Sequence, residues 1–265
     1  QDITTMFELL GSMGSEILLD EDMNFTIASH SLSDIEARYE LVKTMRASIL
    51  VLGPLVAKYG KARIALPGGC AIGSRPVNYH LDALKKMGAK IVLKNGYIEA
   101  SAKKLLGASI KFDGVTVTGT ENIMMAATLA KGTTVLTNVA KEPEIIDLAD
   151  MLITMGAKID GAGSDKIIIE GVDNLKGTEF YIPADRIEAG TYLAAAAVTK
   201  GEITVNGIDP NRLMKVIDKL KETGAKLDTT KNSITISMKR DNPNPVDITT
   251  APFPEFPTDM QAQFS

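Results

Sequence analysis

The stretch Leu152-Ile153-Thr154-Met155-Gly156-Ala157-Lys158-Ile159 decides the fold, because its pattern occurs four times along the chain. The pattern is a leucine, three variable residues, a glycine, two more residues and an aliphatic residue. The glycines of the four copies are Gly14, Gly88, Gly156 and Gly224. Successive glycines lie 74, 68 and 68 residues apart. This regular spacing predicts a repeated structural unit of about 70 residues that must pack against its neighbours.

A second pattern alternates with the first, at residues 57–60, 130–132 and 199–201, and each copy precedes a strand-like stretch. Both patterns predict a helix that ends at a glycine and turns into a strand, because glycine readily adopts the left-handed conformation just past a helix end. The alternative is a chance recurrence of common helix-to-strand turns, which four copies at near-constant spacing disfavour.

The segments between these turns have helix and strand periodicity. Two helices are predicted from apolar residues at helical spacing, Leu213, Val216, Ile217 and Leu220 in one and Val77, Leu81 and Leu84 in the other. Asp209-Pro210 suits a helix start, with an acidic N-cap before proline. Alternation predicts strands at residues 166–170 and 233–237. Each unit should therefore hold two helices and about four strands, an α/β organisation.

Two proline-containing stretches are candidate connections, at residues 181–186 and 240–257. The second holds five of the eleven prolines, which fix the path of the chain. It runs into Thr258-Asp259-Met260-Gln261 and is equally well explained as a plain loop or as a rigid carrier of a functional residue.

Composition excludes several classes of protein. The 265-residue chain is 45% apolar and 23% charged, with a net charge of -4, which disfavours nucleic acid as the main partner. A single cysteine forms no internal disulfide, so a reducing cytoplasmic location is expected. No membrane span, metal-ligand cluster or dinucleotide or Walker motif is present in the sequence, and we expect no cofactor. Because it starts at Gln1 and ends without a stop signal, we expect a piece of a longer chain.

The most unusual segment is the loop of residues 66–77, in which three glycines and a proline surround Cys70. A loop of this kind can close over a ligand. Arg75 lies five residues after Cys70 and can lower the pKa of a thiol, which favours a nucleophile or a proton donor. An inert loop cysteine explains the local sequence equally well. Arg75-Pro76 also suits the start of a helix, where an arginine and free N–H groups form an anion site.

Three other residues carry less signal. Arg46 precedes an apolar helix and, taken alone, reads best as a solvated helix end. His80 falls in the first turn of the helix that follows the loop, and we expect it to be solvated. His30 has no informative context.

Five blocks of the sequence resemble the UDP-N-acetylglucosamine 1-carboxyvinyltransferase family. They are residues 67–77 with Cys70, residues 45–48, residues 142–145, residues 185–191 and residues 256–263 with Asp259. The blocks run in the family's order from about residue 43 to the end, whereas residues 1–42 match more loosely.

This resemblance implies an inside-out α/β barrel of two similar domains, each built from three βαβαββ units, in agreement with the independent repeat. Residues 1–183 are then most of the domain that carries the cysteine loop, and residues 184–265 begin the second domain. The resemblance places the substrates in the cleft between the domains.

The implied reaction transfers the enolpyruvyl group of phosphoenolpyruvate to the 3′-hydroxyl of UDP-N-acetylglucosamine, by addition and then elimination of phosphate. Asp259 matches the general base, Cys70 matches the proton donor and the residue that fosfomycin alkylates, and Arg75 would neutralise the phosphate. The resemblance assigns substrate binding to Arg46, Arg75, Pro76, Val77, Asn78, Tyr79, Thr116, Val117, Arg186, Thr258 and Asp259.

The sequence also departs from the family's pattern. Asn78 stands where many members have aspartate, and residues 114–117 lack a lysine that some members carry. The family's Lys-Asn pair and further arginines match nothing in residues 1–265, so we expect this chain alone to be inactive.

Three other functions compete with this interpretation. The enzyme acting on shikimate 3-phosphate shares the implied fold but lacks this cysteine loop. A non-catalytic UDP-sugar sensor would not be expected to retain both Cys70 and Asp259. A purely structural repeat protein leaves the glycine-rich loop unexplained.

Overall fold

The computed structural model describes residues 2–29, 32–43, 45–66, 77–239 and 242–264. Eight α-helices are found among these residues: α1 (Asp2–Ser12), α2 (Tyr39–Val42), α3 (Leu52–Tyr59), α4 (Asn78–Lys86), α5 (Val117–Ala127), α6 (Pro143–Thr154), α7 (Arg186–Val198) and α8 (Met214–Glu222). Short 3-10 turns cover Arg46–Val51, Pro210–Leu213, Thr258–Met260 and Ala262–Phe264.

The same residues contain thirteen strands: β1 (Glu16–Leu19), β2 (Phe25–Ala28), β3 (Glu36–Ala37), β4 (Lys61–Ala65), β5 (Lys90–Lys94), β6 (Tyr97–Ser101), β7 (Ser109–Lys111), β8 (Thr133–Thr137), β9 (Lys158–Asp160), β10 (Lys166–Glu170), β11 (Glu202–Asn206), β12 (Lys226–Thr229) and β13 (Ser233–Ser237). The strands predicted at residues 166–170 and 233–237 are confirmed as β10 and β13. Both alternate as expected, since Ile167, Ile169, Ile234 and Ile236 are fully buried.

Two complete copies of the repeat have the same topology. One sheet has the strand order β3-β4-β6-β5 and the other β7-β8-β10-β9. In each, the first two strands are parallel and all other neighbours are antiparallel. In chain order each copy runs strand, helical segment, strand, helix, strand, strand, and in the first copy the helical segment consists of α2, the 3-10 turn Arg46–Val51 and α3. The predicted βαβαββ unit is therefore confirmed.

The other two copies contain part of this unit. After α7, the third sheet has the order β11-β13-β12, which reproduces the last three strands of a complete copy. At the N-terminal end, α1 leads into the antiparallel pair of β1 and β2, the equivalent of the last helix and hairpin. Each copy of the leucine–glycine pattern therefore lies at the same position of its unit, between the second helix and the hairpin.

The left-handed turn predicted after each helix is confirmed at all four glycines of the first pattern. Gly14, Gly88, Gly156 and Gly224 have φ between 90° and 103°. The second pattern gives one correction. After α7 the left-handed residue is Lys200, with φ 60°, and the N–H of Gly201 instead donates to the carbonyl of Ala196 at 2.8 Å. The capping motif is shifted by one residue relative to its glycine.

Helix starts differ in detail from the sequence prediction. Asp209 does act as a cap, accepting a hydrogen bond from the N–H of Asn211 at 2.9 Å, but the turn it caps is 3-10 and α8 starts only at Met214. The apolar stripe of α8 is confirmed, since Leu213, Val216, Ile217 and Leu220 are buried. Arg186, placed in a connection, is instead the first residue of α7.

The chain divides into two compact units. One comprises Gln1–Val139 and Leu148–Thr178, the other Ala140–Asp147 and Glu179–Ser265. Each unit has an apolar interior, with Ile49, Leu84 and Ile123 fully buried in the first. In the second, a cluster forms around Leu193, Ile217 and Met260. The predicted domain boundary between residues 183 and 184 stays a prediction.

Candidate active site

The first unit carries three segments with candidate substrate-binding residues. The first segment is the 3-10 turn Arg46–Val51, which continues directly into α3. Arg46 at its start is half-buried, not the fully solvated helix end that local sequence favours. The positive charge of Arg46 contributes to lowering the pKa of the buried His80 on α4.

The second segment is the start of α4. Val77 is its N-cap residue, with Asn78 and Tyr79 in the first turn, and Asn78 is exposed. The predicted helix start at Arg75-Pro76, together with Cys70, lies outside the described residues, and the roles of all three stay predictions. Tyr79 lies against the loop before α5, because a Cβ atom added to Gly114 would come 2.8 Å from the Tyr79 hydroxyl. A lysine at position 114 would therefore displace the phenol ring.

The third segment is the start of α5. Thr116 is in extended conformation and caps the helix, its Oγ1 accepting a hydrogen bond from the N–H of Gly119 at 3.2 Å. The hydroxyl of Thr120 donates to the Thr116 carbonyl at 2.7 Å and fixes the same turn. Val117 is the first helical residue. Free N–H groups and the dipole at such a helix start suit a phosphate or another anion.

His80 is the clear error of the sequence prediction. It was expected to be solvated, yet only 2% of its surface is exposed. Burial, with a smaller contribution from the charge of Arg46, lowers its pKa to about 4, so the ring is neutral at physiological pH. A signal was available in the sequence, because His80 lies four residues before the buried Leu84 and so shares its helix face.

The second unit carries Thr258 and Asp259 on a short 3-10 turn. Both side chains are exposed, whereas the next residue, Met260, is fully buried. Met260 packs against Gly190 of α7, where an added Cβ would lie 2.9 Å from the methionine methyl group. The N–H of Met260 also donates to the Pro257 carbonyl at 3.1 Å. The exposed carboxylate of Asp259 is thus presented by an anchored turn, a suitable arrangement for a general base.

Arg186, at the start of α7, is placed differently from a free substrate-binding arginine. Only 4% of the residue is exposed, and its Nε donates to Oε1 of Glu144 at 2.9 Å within the second unit. The Phe253 ring lies 5.8 Å from the guanidinium carbon. Asp185 caps the helix through Oδ1, which accepts from the N–H groups of Ile187 and Glu188 at 2.7 and 3.1 Å. The assigned contact of Arg186 with substrate stays a prediction.

Two cavities of the first unit are lined by residues that the structure describes. The larger, about 740 Å³, is lined by the polar ends of strands: Lys111, Phe112, Asp113, Thr137, Asn138, Asp165 and Lys166. The other, about 470 Å³, is mostly apolar and lies among α1, α3 and α5, with Leu10, Leu55 and Met125 among its lining residues. Within the described ranges, no group of three or more His, Cys, Asp or Glu residues is arranged to hold a metal ion. The helices of this part of the chain include none that is long and apolar enough to cross a membrane.

A sequence profile of the family EPSP synthase (3-phosphoshikimate 1-carboxyvinyltransferase) matches residues 1–265. The chain belongs to this family. The chain is also 55% identical over 264 residues to UDP-N-acetylglucosamine 1-carboxyvinyltransferase of Hydrogenovibrio crunogenus and 56% identical to that of Ruthia magnifica. Each comparison takes in 100% of this chain and 63% of the relative, so the chain spans about 63% of the length of these curated relatives.

Solved structures agree on the fold. The enolpyruvyl transferase NikO from Streptomyces tendae superposes with a TM-score of 0.75 at 20% identity, covering 88% of this chain and 57% of its own. EPSP synthase from Acinetobacter baumannii gives a TM-score of 0.66 at 21% identity, covering 89% and 56%. These structural neighbours have the inside-out α/β barrel fold, which confirms the predicted fold class.

Proposed function

We propose that the full-length protein transfers the enolpyruvyl group of phosphoenolpyruvate to the 3′-hydroxyl of UDP-N-acetylglucosamine. The observation that carries the proposal is the 55% identity, over the whole chain, to relatives bearing that enzyme's name. The cysteine loop and the Asp259 block within this match support the same reaction. The enzyme would act in the cytoplasm at the start of peptidoglycan synthesis, on two small-molecule substrates.

In this proposal the reaction is an addition followed by an elimination. Asp259 takes the proton of the sugar hydroxyl as its oxygen bonds to C2 of phosphoenolpyruvate, and Cys70 donates a proton to C3. The tetrahedral intermediate then loses a C3 proton and releases inorganic phosphate, which restores the double bond. Arg75 neutralises the phosphate group, whose charge changes during both steps.

The remaining site residues bind and orient the nucleotide sugar in this proposal. In sequence order, Arg46, residues 76–79, and Thr116 and Val117 contact UDP-N-acetylglucosamine. The half-buried start of α5 and the half-buried Arg46 are both suited to an anionic diphosphate. Arg186 and Thr258 are the other residues to which the proposal assigns substrate binding.

Intact mass spectrometry with fosfomycin tests the proposal on the purified chain, with and without UDP-N-acetylglucosamine. We expect a single adduct at Cys70, formed faster in the presence of the sugar nucleotide, and none in the Cys70→Ser variant. Alkylation at the rate of a free thiol in small peptides, unchanged by the nucleotide, would contradict it. Promotion by shikimate 3-phosphate in place of the sugar nucleotide would support the rival activity.

A turnover assay tests the prediction that residues 1–265 alone are inactive. Phosphate release from phosphoenolpyruvate and UDP-N-acetylglucosamine should be absent for residues 1–265 and present for a protein of the relatives' full length. Turnover by the 265-residue chain would refute the prediction that it is inactive alone.

A further inference from the structure

Asn122 is a buried hydrogen-bonding hub in the first unit. It lies on α5 and has no exposed surface. Its Nδ2 donates to the carbonyl of Ile49 at 3.0 Å and to Nδ1 of His80 at 2.9 Å, while its Oδ1 accepts from the N–H of Gly53 at 2.7 Å. Both amide hydrogens and one lone pair are therefore used, as a fully buried amide requires.

His80 extends this network back to α5. Because Nδ1 accepts a hydrogen bond from Asn122, the neutral ring carries its hydrogen on Nε2, which faces the hydroxyl of Thr118 at 3.4 Å. The hydrogen bonds therefore run from Asn122 of α5 to His80 of α4 and from His80 back to Thr118 of α5. Asn122 also bonds to Ile49 of the 3-10 turn and to Gly53 of α3.

The elements joined in this way carry every candidate nucleotide-binding residue that the structure describes in the first unit. Ile49 lies one turn after Arg46, His80 directly follows Asn78 and Tyr79, and Thr118 follows Thr116 and Val117. Apolar packing alone fixes such helices less strictly, because apolar contacts have no direction, whereas these hydrogen bonds hold only at one mutual arrangement.

We propose that Asn122 and His80 are positioning residues, which hold the Arg46 turn and the starts of α4 and α5 in one arrangement for the nucleotide sugar. Neither residue touches substrate, and the inference rests on the proposed function of these three segments. The close approach of α3 to α5 supports a specific role, since a Cβ at Gly53 would lie 2.2 Å from Oδ1 of Asn122. Glycine at position 53 leaves the space in which the Asn122 side-chain oxygen accepts the hydrogen bond from the Gly53 N–H.

Binding of UDP-N-acetylglucosamine to the purified chain, measured by isothermal titration calorimetry, tests the proposal. Asn122→Leu keeps the branching and the number of side-chain heavy atoms but removes three hydrogen bonds, and we expect it to weaken binding about tenfold, equivalent to about 1.4 kcal/mol. Thr118→Val should weaken binding by a smaller factor, and Thr118→Ser, which keeps the hydroxyl, should bind as the wild type does.

The matched control is Thr128→Val. Thr128 is buried on the C-terminal side of the same helix, where its hydroxyl donates to the carbonyl of Met125 at 2.7 Å, away from the network. This variant should lose stability but bind UDP-N-acetylglucosamine with an unchanged Kd. Equal Kd values for Asn122→Leu and wild type would overturn the inference, as would equal weakening by Thr128→Val.

A second measurement does not depend on ligand and keeps the inference separate from the proposed function. In the ligand-free Asn122→Leu and Thr118→Val variants, the backbone amide resonances of residues 46–49, 78–80 and 116–118 should all shift. Shifts confined to α5 would overturn the positioning role. If the wild type fails to bind the sugar nucleotide while these coordinated shifts occur, the proposed function fails and the structural coupling stands.

Discussion

The guanidinium of Arg186 donates two hydrogen bonds to the carboxylate of Glu144, from Nε to Oε1 at 2.9 Å and from Nη2 to Oε2 at 3.3 Å. The Arg186 side chain is 5% exposed, whereas that of Glu144 is 43% exposed. A second bidentate ion pair lies one turn further along α6, where Arg212 donates to both oxygens of Asp147 at 2.6 and 2.7 Å. Its hydrogen bonds to Asp147 raise the pKa of Arg212 above its ordinary value. Together the pairs bind the start of α6 to α7 and to the turn before α8, all within the second unit.

Replacing Glu144 by glutamine should destabilise the second unit, because it leaves the buried charge of Arg186 without its counter-ion. Breaking a buried pair costs about 3–5 kcal/mol, and the partial exposure of Glu144 reduces our expectation to about 1–3 kcal/mol. Urea unfolding of the wild type and Glu144→Gln measures the change. The control is Glu222→Gln, which breaks the more exposed pair with Lys219 and should cost no more than about 1 kcal/mol. Equal effects of the two variants would contradict the expectation.

Gly53 should tolerate no side chain. A Cβ there would come 2.2 Å from Oδ1 and 2.5 Å from the carbonyl oxygen of Asn122, and the backbone atom has little room to move. We expect Gly53→Ala to destabilise the first unit by about 3 kcal/mol or to prevent its folding. Gly177→Ala is the control, because an added Cβ there meets nothing within 4 Å, and its thermal unfolding midpoint should not fall. Tolerance of Gly53→Ala without a loss of stability would show that α3 and α5 are less closely packed.

Stability should fall as the pH is lowered from 6.5 towards 4, in part because of His80. The folded protein holds the pKa of His80 at about 4, below the value of 6.5 for a free side chain. In this window the unfolded chain binds a proton that the folded chain excludes, so the stabilisation present above pH 6.5 is lost, by up to about 3 kcal/mol at pH 4.

Unfolding free energies of the wild type and His80→Gln at several pH values isolate this contribution, since the carboxylates titrate in both proteins. The wild type should lose more stability than the variant between pH 6.5 and pH 4. Parallel pH profiles would show that His80 is not held neutral by burial.

Loss of the Thr116 hydroxyl should weaken the start of α5. Thr116→Ala removes the acceptor for the N–H of Gly119 and should cost about 1 kcal/mol, whereas Thr116→Ser keeps the cap and should cost little. Chemical denaturation of the two variants, side by side, gives the comparison. If alanine and serine are equivalent, the N–H of Gly119 is satisfied by water and the cap has no measurable role.

Much of the fold could be predicted from local signals. The glycines after each second helix mark chain reversals that depend only on backbone conformation, and the alternating isoleucines of β10 and β13 reveal which face is buried. Local signals did not reveal burial or pairing where these depend on neighbours distant in sequence. His80 is buried and hydrogen-bonded to Asn122 of α5, which lies 42 residues later in the chain. Arg186 is paired with Glu144, which lies 42 residues earlier.

The sequence by itself determined a repeat of about 70 residues with two helices and about four strands, because periodicity, capping and turn preferences act within a few residues. Its resemblance to the enolpyruvyl transferases implied the βαβαββ order and the fold. The same resemblance predicted Cys70, Arg75 and Asp259 as catalytic residues, and their roles stay proposals. Only the tertiary structure decided which polar groups are buried and paired. That outcome depends on the free-energy cost of removing a histidine, an amide or a guanidinium from water, and only a partner brought in by the fold offsets this cost.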